Sequence, residues 1–425
     1  MKNNKFFLPK KLEKPSKSPL AAIFFTIFLD LIGVGIVIPL LAIIFIGPNS
    51  ILPESYSLQS KTFLLGLLIS SYPLAQFFGA PILGAMSDRY GRKKILLLSL
   101  CGTLTGYILF GFGIIRGNVY LLFLSRILDG FTGGNISISL SAIADISDNK
   151  SKAANFGLVG MAAGLGFILG PFAGGKLSDA NISSYFNQST PFWFAAALTL
   201  INIMLVIWRF PETLAKKTNK EINILAGFKN ISKAFKMKSL RTMFIVIFLL
   251  SFGFNFFAQF FPVFLIKKFS YSQSQIGDIF AFIGLWIAIA QGGITRPLSK
   301  KINSVNTLSF SALLLGIVFP ILILPKKSFL LYFILPFIAI FQGLTYPNST
   351  AIISSLSDEK SQGEILGINQ SMQSLAQSIP PIIAGIIVSI NPALPIITAS
   401  IVTFVAWIIF VVFFRSNYSY KKVND

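Results

Sequence analysis

The sequence predicts an all-α membrane protein with twelve transmembrane helices in two pseudo-symmetric six-helix bundles. Three observations support this fold class. Hydrophobic residues make up 54% of the 425 residues and charged residues only 12%. Apolar stretches long enough to cross a bilayer recur along the chain, and its second half repeats spaced residues of its first. A soluble domain could not cover its surface with so few charges.

Twelve stretches of roughly 20 mainly apolar residues are long enough to span a bilayer. The N-terminal bundle, residues 20–210, holds predicted spans 20–46, 62–86, 95–115, 119–146, 153–177 and 191–208. The C-terminal bundle, residues 240–415, holds spans 240–266, 276–294, 305–324, 330–356, 366–390 and 393–414. A linker (211–239) separates the bundles, and tails (1–19 and 416–425) flank them. The first apolar run exceeds a signal-peptide core of roughly 7–15 residues, so we expect it to be retained.

The two halves repeat. Shifting the chain by 210 residues keeps one register for Gly133 with Gly343, Ser147 with Ser357, Asp148 with Asp358, Lys150 with Lys360, Ser151 with Ser361, Gly157 with Gly367, Pro171 with Pro381 and Gly175 with Gly385. Gly and Pro control how closely helices approach and where they bend. A parallel repeat of this kind is typical of transporters and predicts a substrate site near the bilayer midplane, between the halves.

The basic residues predict the orientation in the membrane. Of the 36 Lys and Arg residues behind the +21 net charge, 28 fall on the side of the N-terminus, 7 on the opposite side, and Arg126 within a span. By the positive-inside rule both termini are cytosolic. Because the basic residues are dispersed at helix ends rather than gathered on one patch, we expect no nucleic-acid partner.

The linker carries its own periodic pattern. Leu225, Phe228, Ile231 and Phe235 recur at helical spacing in a basic segment. This spacing predicts an amphipathic helix on the inner membrane face. A flexible linker with chance periodicity is the alternative.

Residue types exclude several chemistries. The chain has no His and a single cysteine, Cys101, which excludes His-dependent catalytic triads, His-bound metals, and an intrachain disulfide. The segment 170–176 imitates a phosphate-binding loop, but Leu177 follows instead of Ser or Thr. We therefore expect no enzyme activity, no metal and no cofactor.

Charges inside the predicted spans are the first functional candidates. Asp30 lies in the middle of the first span, where an acid costs roughly 2.5–3.5 kcal/mol on insertion scales. Such an acid can bind and release protons, although it could also be a purely structural hydrogen-bond partner. Arg126 and Asp129 share one helix face and could pair. Either Asp129 only neutralises Arg126, or Arg126 modulates the proton affinity of a nearby acid.

Two further motifs depend on glycine. Between the second and third spans, Gly84 allows close packing, Gly91 permits a tight turn, and Asp88 can pair with Arg89 or Arg92. An ordinary basic loop would not need this spacing. The fifth span carries small residues at four-residue intervals, which let helices touch backbone to backbone. Its members include Gly166, Gly170, Pro171, Gly174 and Gly175.

Polar and aromatic side chains within the spans are candidates for lining a substrate cavity, with helix–helix hydrogen bonding as the alternative. These residues are Gln76, Asn135, Asn255, Gln259, Trp286, Gln291, Gln342, Gln370 and Gln373.

Together these motifs resemble the major facilitator superfamily, and within it the twelve-helix drug:proton antiporters of the tetracycline-efflux-like branch. Residues 84–94 are similar to the motif between helices 2 and 3, residues 30–39 to the helix 1 motif of exporters, residues 126–130 to the helix 4 Arg motif, and residues 166–175 to the helix 5 antiporter motif.

The resemblance implies roles for single residues. Asp88, Arg89 and Arg92 would form an inner gate latch with Asp145 as an Arg partner. Asp30 and Arg126, with Asp129 beside them, would couple protons, and Gly170 with Pro171 would limit leakage. One departure concerns the substrate, because Gly106 stands where tetracycline exporters carry Asp.

We therefore expect a monomeric, proton-driven efflux antiporter that expels small amphipathic compounds across the cytoplasmic membrane by alternating access. The alternative is proton-coupled transport of a specific metabolite such as a siderophore, sugar or organic acid. The sequence leaves the substrate, the proton stoichiometry and the role of Asp278 open.

Overall fold

A computed structural model describes residues 18–147, 152–214, 217, 222–237, 240–356 and 362–416. Within these residues every regular element is a helix. Both tails lie almost entirely outside the described residues, as do Asp148, Lys150, Ser151, Ser357, Asp358, Lys360 and Ser361 of the repeat.

The first half and the linker contribute eight helices among the described residues. They are α1 (Ser18–Ile46), α2 (Leu58–Tyr90), α3 (Arg92–Ile115), α4 (Val119–Thr132), α5 (Asn135–Ile146), α6 (Lys152–Leu177), α7 (Thr190–Arg209) and α8 (Ala226–Lys236). The predicted helix of the linker is confirmed as α8, which begins directly after Leu225.

The described part of the second half contains eight more α-helices. They are α9 (Arg241–Phe269), α10 (Gln273–Ile289), α11 (Thr295–Ser299), α12 (Ser304–Ile321), α13 (Leu331–Ser355), α14 (Gln362–Ser378), α15 (Pro380–Ile387) and α16 (Leu394–Ile409). A π-helical turn, Ala290–Ile294, joins α10 to α11, and another, Phe410–Arg415, extends α16.

Ten helices in the described residues are long and apolar enough to cross a membrane. The other two predicted spans, 119–146 and 366–390, are each divided, so their continuous form was wrong. The first breaks at Gly133–Gly134 between α4 and α5. The second breaks at Ile379, directly before Pro380 and Pro381, because proline supplies no backbone N–H and clashes with the preceding turn. The arrangement is consistent with twelve crossings.

Short polar residues set where several helices begin. Ser57 accepts a hydrogen bond from the Ser60 backbone N–H at 3.1 Å, and Asn118 accepts one from Leu121 at 3.2 Å. Ser272 and Gln275 form a reciprocal capping box at the start of α10. These caps satisfy backbone donors that a helix start leaves unpaired.

The two halves meet through close helix contacts at one end of the molecule, which we call the outer end. A Cβ added to Gly277 of α10 would lie 2.6 Å from the Pro171 carbonyl oxygen of α6. Gly66 of α2 meets the Pro381 carbonyl of α15 in the same way. Pro171 and Pro381 are paired by the sequence repeat, so the repeat builds two matching contacts between the halves.

The opposite, inner end is open. Along α6 and α10 the spacing widens: a Cβ on Gly284 would lie 2.8 Å from the Phe167 carbonyl, and one on Gly164 would lie 3.6 Å from Ala288. Farther inward, Cβ atoms on Gly160 and Gly292 would meet nothing within 4 Å. The helices of the two halves therefore diverge toward the inner end.

The hydrophobic core follows the same division. At the outer end one cluster joins residues of both halves, such as Leu40 and Phe45 with Phe260 and Phe264. Toward the inner end the core separates into one cluster within each half. The structure is thus closed at the outer end and open at the inner end.

We expect Gly277→Leu to break the outer seal, because the added side chain would collide with the α6 backbone, and overpacking typically costs about 1–3 kcal/mol. The melting temperature of the purified protein should fall, and a membrane-impermeant thiol reagent should reach a cysteine placed at Ser274. Gly292→Leu is the matched control, since Gly292 faces open space. Equal effects of the two substitutions would contradict the seal.

Candidate functional site

Asp30 lies half-buried in α1 and is held by the start of α5. The Asn135 side-chain amide donates to its carboxylate at 2.7 Å and lies 3.4 Å from the Thr103 hydroxyl. Asn135 is the first residue of α5, so the break at Gly133–Gly134 positions this amide. The Gln76 amide donates to the Gly133 carbonyl at 2.9 Å and satisfies an acceptor that the break exposes.

Arg126 and Asp129 form a buried ion pair one turn apart on α4, with 3.1 Å between Nη2 and Oδ2. The Arg126 guanidinium also lies over two rings, 5.6 Å from the centre of Tyr72 and 5.1 Å from that of Phe110. Aromatic faces attract cations, most strongly where water is excluded. A Cβ on Gly106 would lie 2.9 Å from the Asp129 Cβ, so Asp129 fills the space beside the position where tetracycline exporters carry Asp.

The three charges are not equivalent. Arg126 neutralises Asp129, whereas Asp30 has no salt-bridge partner in the described part of the chain. A proton can therefore bind and leave Asp30 without breaking an ion pair.

The predicted gate residues converge on Arg92 at the inner end of α3. Its guanidinium contacts Asp88 at 2.6 Å and Asp145 at 3.0 Å, and donates to the Ser87 hydroxyl at 2.7 Å. Arg89 is exposed and lies over the Tyr90 ring instead. The contacts of Arg92 tie α2, α3 and α5 together within the first half. A latch between the halves stays a prediction.

Glu212, which was not predicted as a site residue, completes this cluster. Its carboxylate accepts from the backbone N–H groups of Arg92 at 2.9 Å and Lys93 at 3.3 Å. Gly91, with φ of 114°, makes the turn between α2 and α3, and a Cβ there would strike the Glu212 carboxylate. A carboxylate at a helix N-terminus satisfies free donors and complements the helix dipole. Glu212 follows the C-terminal end of α7 by three residues.

The glycine face of α6 packs directly on α1. A Cβ on Gly170 would lie 2.7 Å from the Ile32 carbonyl, and one on Gly166 would lie 2.7 Å from the Leu31 Cβ. Gly174 meets the Ile36 carbonyl, while Gly175 faces α10. The predicted helix 5 motif therefore places α6 between the helix that carries Asp30 and the second half.

The predicted cavity residues are gathered only in part. Gln76 and Gln370 line one cavity of about 110 Å³ between the halves. Asn255 bonds within its own helix, and Gln373 accepts from the Tyr346 hydroxyl at 3.2 Å. The indole nitrogen of Trp286 is buried without a hydrogen-bond partner in the described structure. Gln259, Gln291 and Gln342 are half-buried.

One charged contact crosses between the halves. Lys176 of α6 lies 2.8 Å from the carboxylate of Asp278 and 2.8 Å from the Ser274 hydroxyl, both on α10. It sits beside the Gly175–Gly277 contact at the outer end. Sequence reasoning flagged Asp278 without a partner, since no local pattern relates residues about 100 positions apart.

The family model of the Major Facilitator Superfamily matches residues 23–335 and 294–425. The chain belongs to the Major Facilitator Superfamily. It is therefore a multi-pass membrane protein and a transporter of small molecules, and the predicted resemblance is confirmed.

Relatives and solved structures agree with this membership. The chain is 28% identical over 371 residues to the class C tetracycline resistance protein of Escherichia coli, covering 87% of this chain and 89% of that one. It is 26% identical to multidrug resistance protein 2 of Bacillus subtilis, covering 93% and 95%. The crystal structure of the human organic anion transporter MFSD10 matches with a TM-score of 0.72 at 22% identity, covering 94% and 100%.

We expect Arg126→Leu to destabilise the protein, because it leaves Asp129 as an uncompensated buried charge, a loss of about 3–5 kcal/mol. The double variant Arg126→Leu with Asp129→Leu should recover most of that stability. Thermal unfolding of the purified variants measures both effects. Full recovery of substrate transport by the double variant would show that the pair is only structural.

Glu212→Ala should lower stability by about 1 kcal/mol, the usual worth of an N-terminal helix cap. Glu54→Ala, at an exposed position in the loop before α2, is the control. If thermal unfolding shows equal melting temperatures for the two variants, the Glu212 contacts with α3 carry no stabilisation.

Proposed function

We propose that this superfamily member is a proton-coupled antiporter that exports small amphipathic drugs by alternating access. The names of the tetracycline and multidrug resistance relatives support export of drugs. The glycine-rich contact of α6 with α1 and α10 supports antiport, because it matches the motif that the sequence shares with exporters.

The observation that carries the proposal is the uncompensated acid at Asp30. Arg126 is committed to Asp129, and the side chain that donates to Asp30 is the neutral Asn135. An ionisable group within the membrane is costly to bury, so one without a charged partner is a candidate for a functional role. Protonation of Asp30 neutralises the one unbalanced charge among Asp30, Arg126 and Asp129. It therefore changes the free energy of exposing Asp30 to either side of the membrane.

Alternating access then follows from differential binding. A ligand shifts a conformational equilibrium only by binding one state better than the other. In the inward-facing state the open inner end admits the drug, and the sealed outer end keeps it from escaping. Drug binding favours the outward-facing state when Asp30 has released its proton, and protonation of Asp30 from outside favours the return.

The proton gradient supplies the energy, with no cofactor. One charge crossing ~100 mV contributes about 2.3 kcal/mol, and each pH unit contributes about 1.4 kcal/mol. For a neutral drug, one proton per molecule would then sustain export against a concentration ratio of several hundred at one pH unit, since about 1.4 kcal/mol corresponds to tenfold.

The charge distribution favours neutral or cationic substrates. Asp30 attracts a cation, whereas the positive charge of Arg126 is already balanced. Gly106 in place of an acid favours drugs other than tetracycline. We place the protein in the bacterial cytoplasmic membrane as a monomer with both termini in the cytosol, which makes the open inner end the cytosolic side.

We expect Asp30→Asn to abolish drug accumulation driven by a pH gradient in reconstituted vesicles, while drug binding to the purified protein persists. The amide keeps the size and the hydrogen bonding but cannot take up a proton. Asp179→Asn, in the outer loop after α6, is the matched control and should transport normally. Undiminished gradient-driven transport by the Asp30→Asn variant would rule out Asp30 as the coupling acid.

A further inference from the structure

The linker helix α8 lies between the two halves near the inner end. Toward the first half, a Cβ on Gly227 would lie 2.7 Å from the Phe77 ring of α2, and the Phe228 ring packs edge-on at 5.1 Å from it. Toward the second half, the Asn230 amide donates to the Ser371 hydroxyl of α14 at 3.1 Å. One side of α8 therefore binds both halves at once.

This position is the inner counterpart of a direct helix contact. At the outer end α2 touches α15 backbone to backbone, with the Thr62 hydroxyl donating to the Gly385 carbonyl at 2.7 Å. At the inner end Cβ atoms on Gly84 of α2 and Gly367 of α14 would meet nothing within 4 Å. Asn230 instead lines the cavity between these helices. The helix α8 therefore stands between α2 and α14 at the inner end, and we call it the wedge.

The exposed surface of α8 is apolar on one side and cationic on another. Ile224 is 64% exposed, Phe228 51% and Phe235 49%. Phe228 and Phe235 are two helical turns apart and so share a side. Lys229, Lys233 and Lys236 follow helical spacing on a different side.

We propose that α8 binds the anionic surface of the inner leaflet, and that this binding holds the wedge in the inward-facing state. An exposed aromatic stripe beside lysines fits the boundary between acyl chains and headgroups. Lysines close to an anionic membrane surface are attracted to it. The helix ends close to the membrane, because α9 begins at Arg241, only a few residues after α8 ends at Lys236. The proposal rests on the orientation proposed above, but not on the drug or the proton.

The membrane contact can be tested by fluorescence quenching. Cys101→Ser removes the single native cysteine, and a fluorophore is then attached at Phe235→Cys or, as the matched control on the lysine side, at Lys233→Cys. In vesicles of phosphatidylglycerol with brominated acyl chains, quenching at position 235 should be at least about twofold stronger than at position 233. Equal, weak quenching at both positions would overturn the membrane-binding surface.

The wedge is tested by distance measurement between spin labels at Gly160→Cys and Gly292→Cys in the same Cys101→Ser background. Both glycines face open space across the inner gap, so the labels fit. The long-distance population corresponds to an open inner end. Its ratio to the short-distance population should be about threefold higher in phosphatidylglycerol nanodiscs than in phosphatidylcholine nanodiscs, which corresponds to a shift of roughly 0.7 kcal/mol in the equilibrium. The variant K229Q/K233Q/K236Q should lose this dependence.

Identical distance distributions in the two lipids would overturn the wedge. Neither measurement uses drug or a pH gradient. A negative result in the Asp30→Asn experiment therefore does not affect the test of the wedge, and a negative result for the wedge does not affect the test of Asp30.

Discussion

The contact of backbone with backbone at the outer end is the constraint on which the rest of the structure depends. Gly175 and Gly277 remove the side chains that would separate α6 from α10, and Gly66 does the same for α2 against α15. Lipid offers no hydrophobic force to press helices together, so close approach and van der Waals contact must hold them. Because these contacts lie at one end only, they serve as a pivot about which the inner ends can separate.

The second constraint is the free-energy cost of placing charged side chains inside the membrane, away from water. The first half keeps one balanced pair, Arg126 with Asp129, and one carboxylate, Asp30, whose partner is an amide. The balanced pair is braced by Tyr72 and Phe110, which fixes its geometry. Asp30 is left without a balancing charge, and the packing of α6 glycines on α1 links its helix to the pivot.

At the inner end polar contacts organise each half separately. Arg92 gathers Asp88 and Asp145, while Glu212 caps α3, all within the first half. The linker helix α8 bridges the gap that these clusters leave, since it touches Phe77 on one side and Ser371 on the other. The outer end is thus joined directly, and the inner end through the linker helix.

The helical class, most span positions, the repeat and the family could be predicted from the sequence. Bilayer thickness and the cost of buried charge impose patterns that can be recognised along one chain. The sequence also singled out Asp30, Arg126 and the glycines of α6. Three contacts became visible only in the folded structure. Arg126 pairs with Asp129, Asn135 donates a hydrogen bond to Asp30, and Lys176 forms a salt bridge with Asp278. Two predicted spans are each divided into two helices, one at Gly133–Gly134 and the other before Pro380. At these positions the backbone preferences of glycine and proline outweigh the continuous apolar pattern. Which residues become partners depends on which helix faces meet in space. Where all sides of a helix are apolar, the apolar pattern of the sequence does not indicate which side faces a given neighbour.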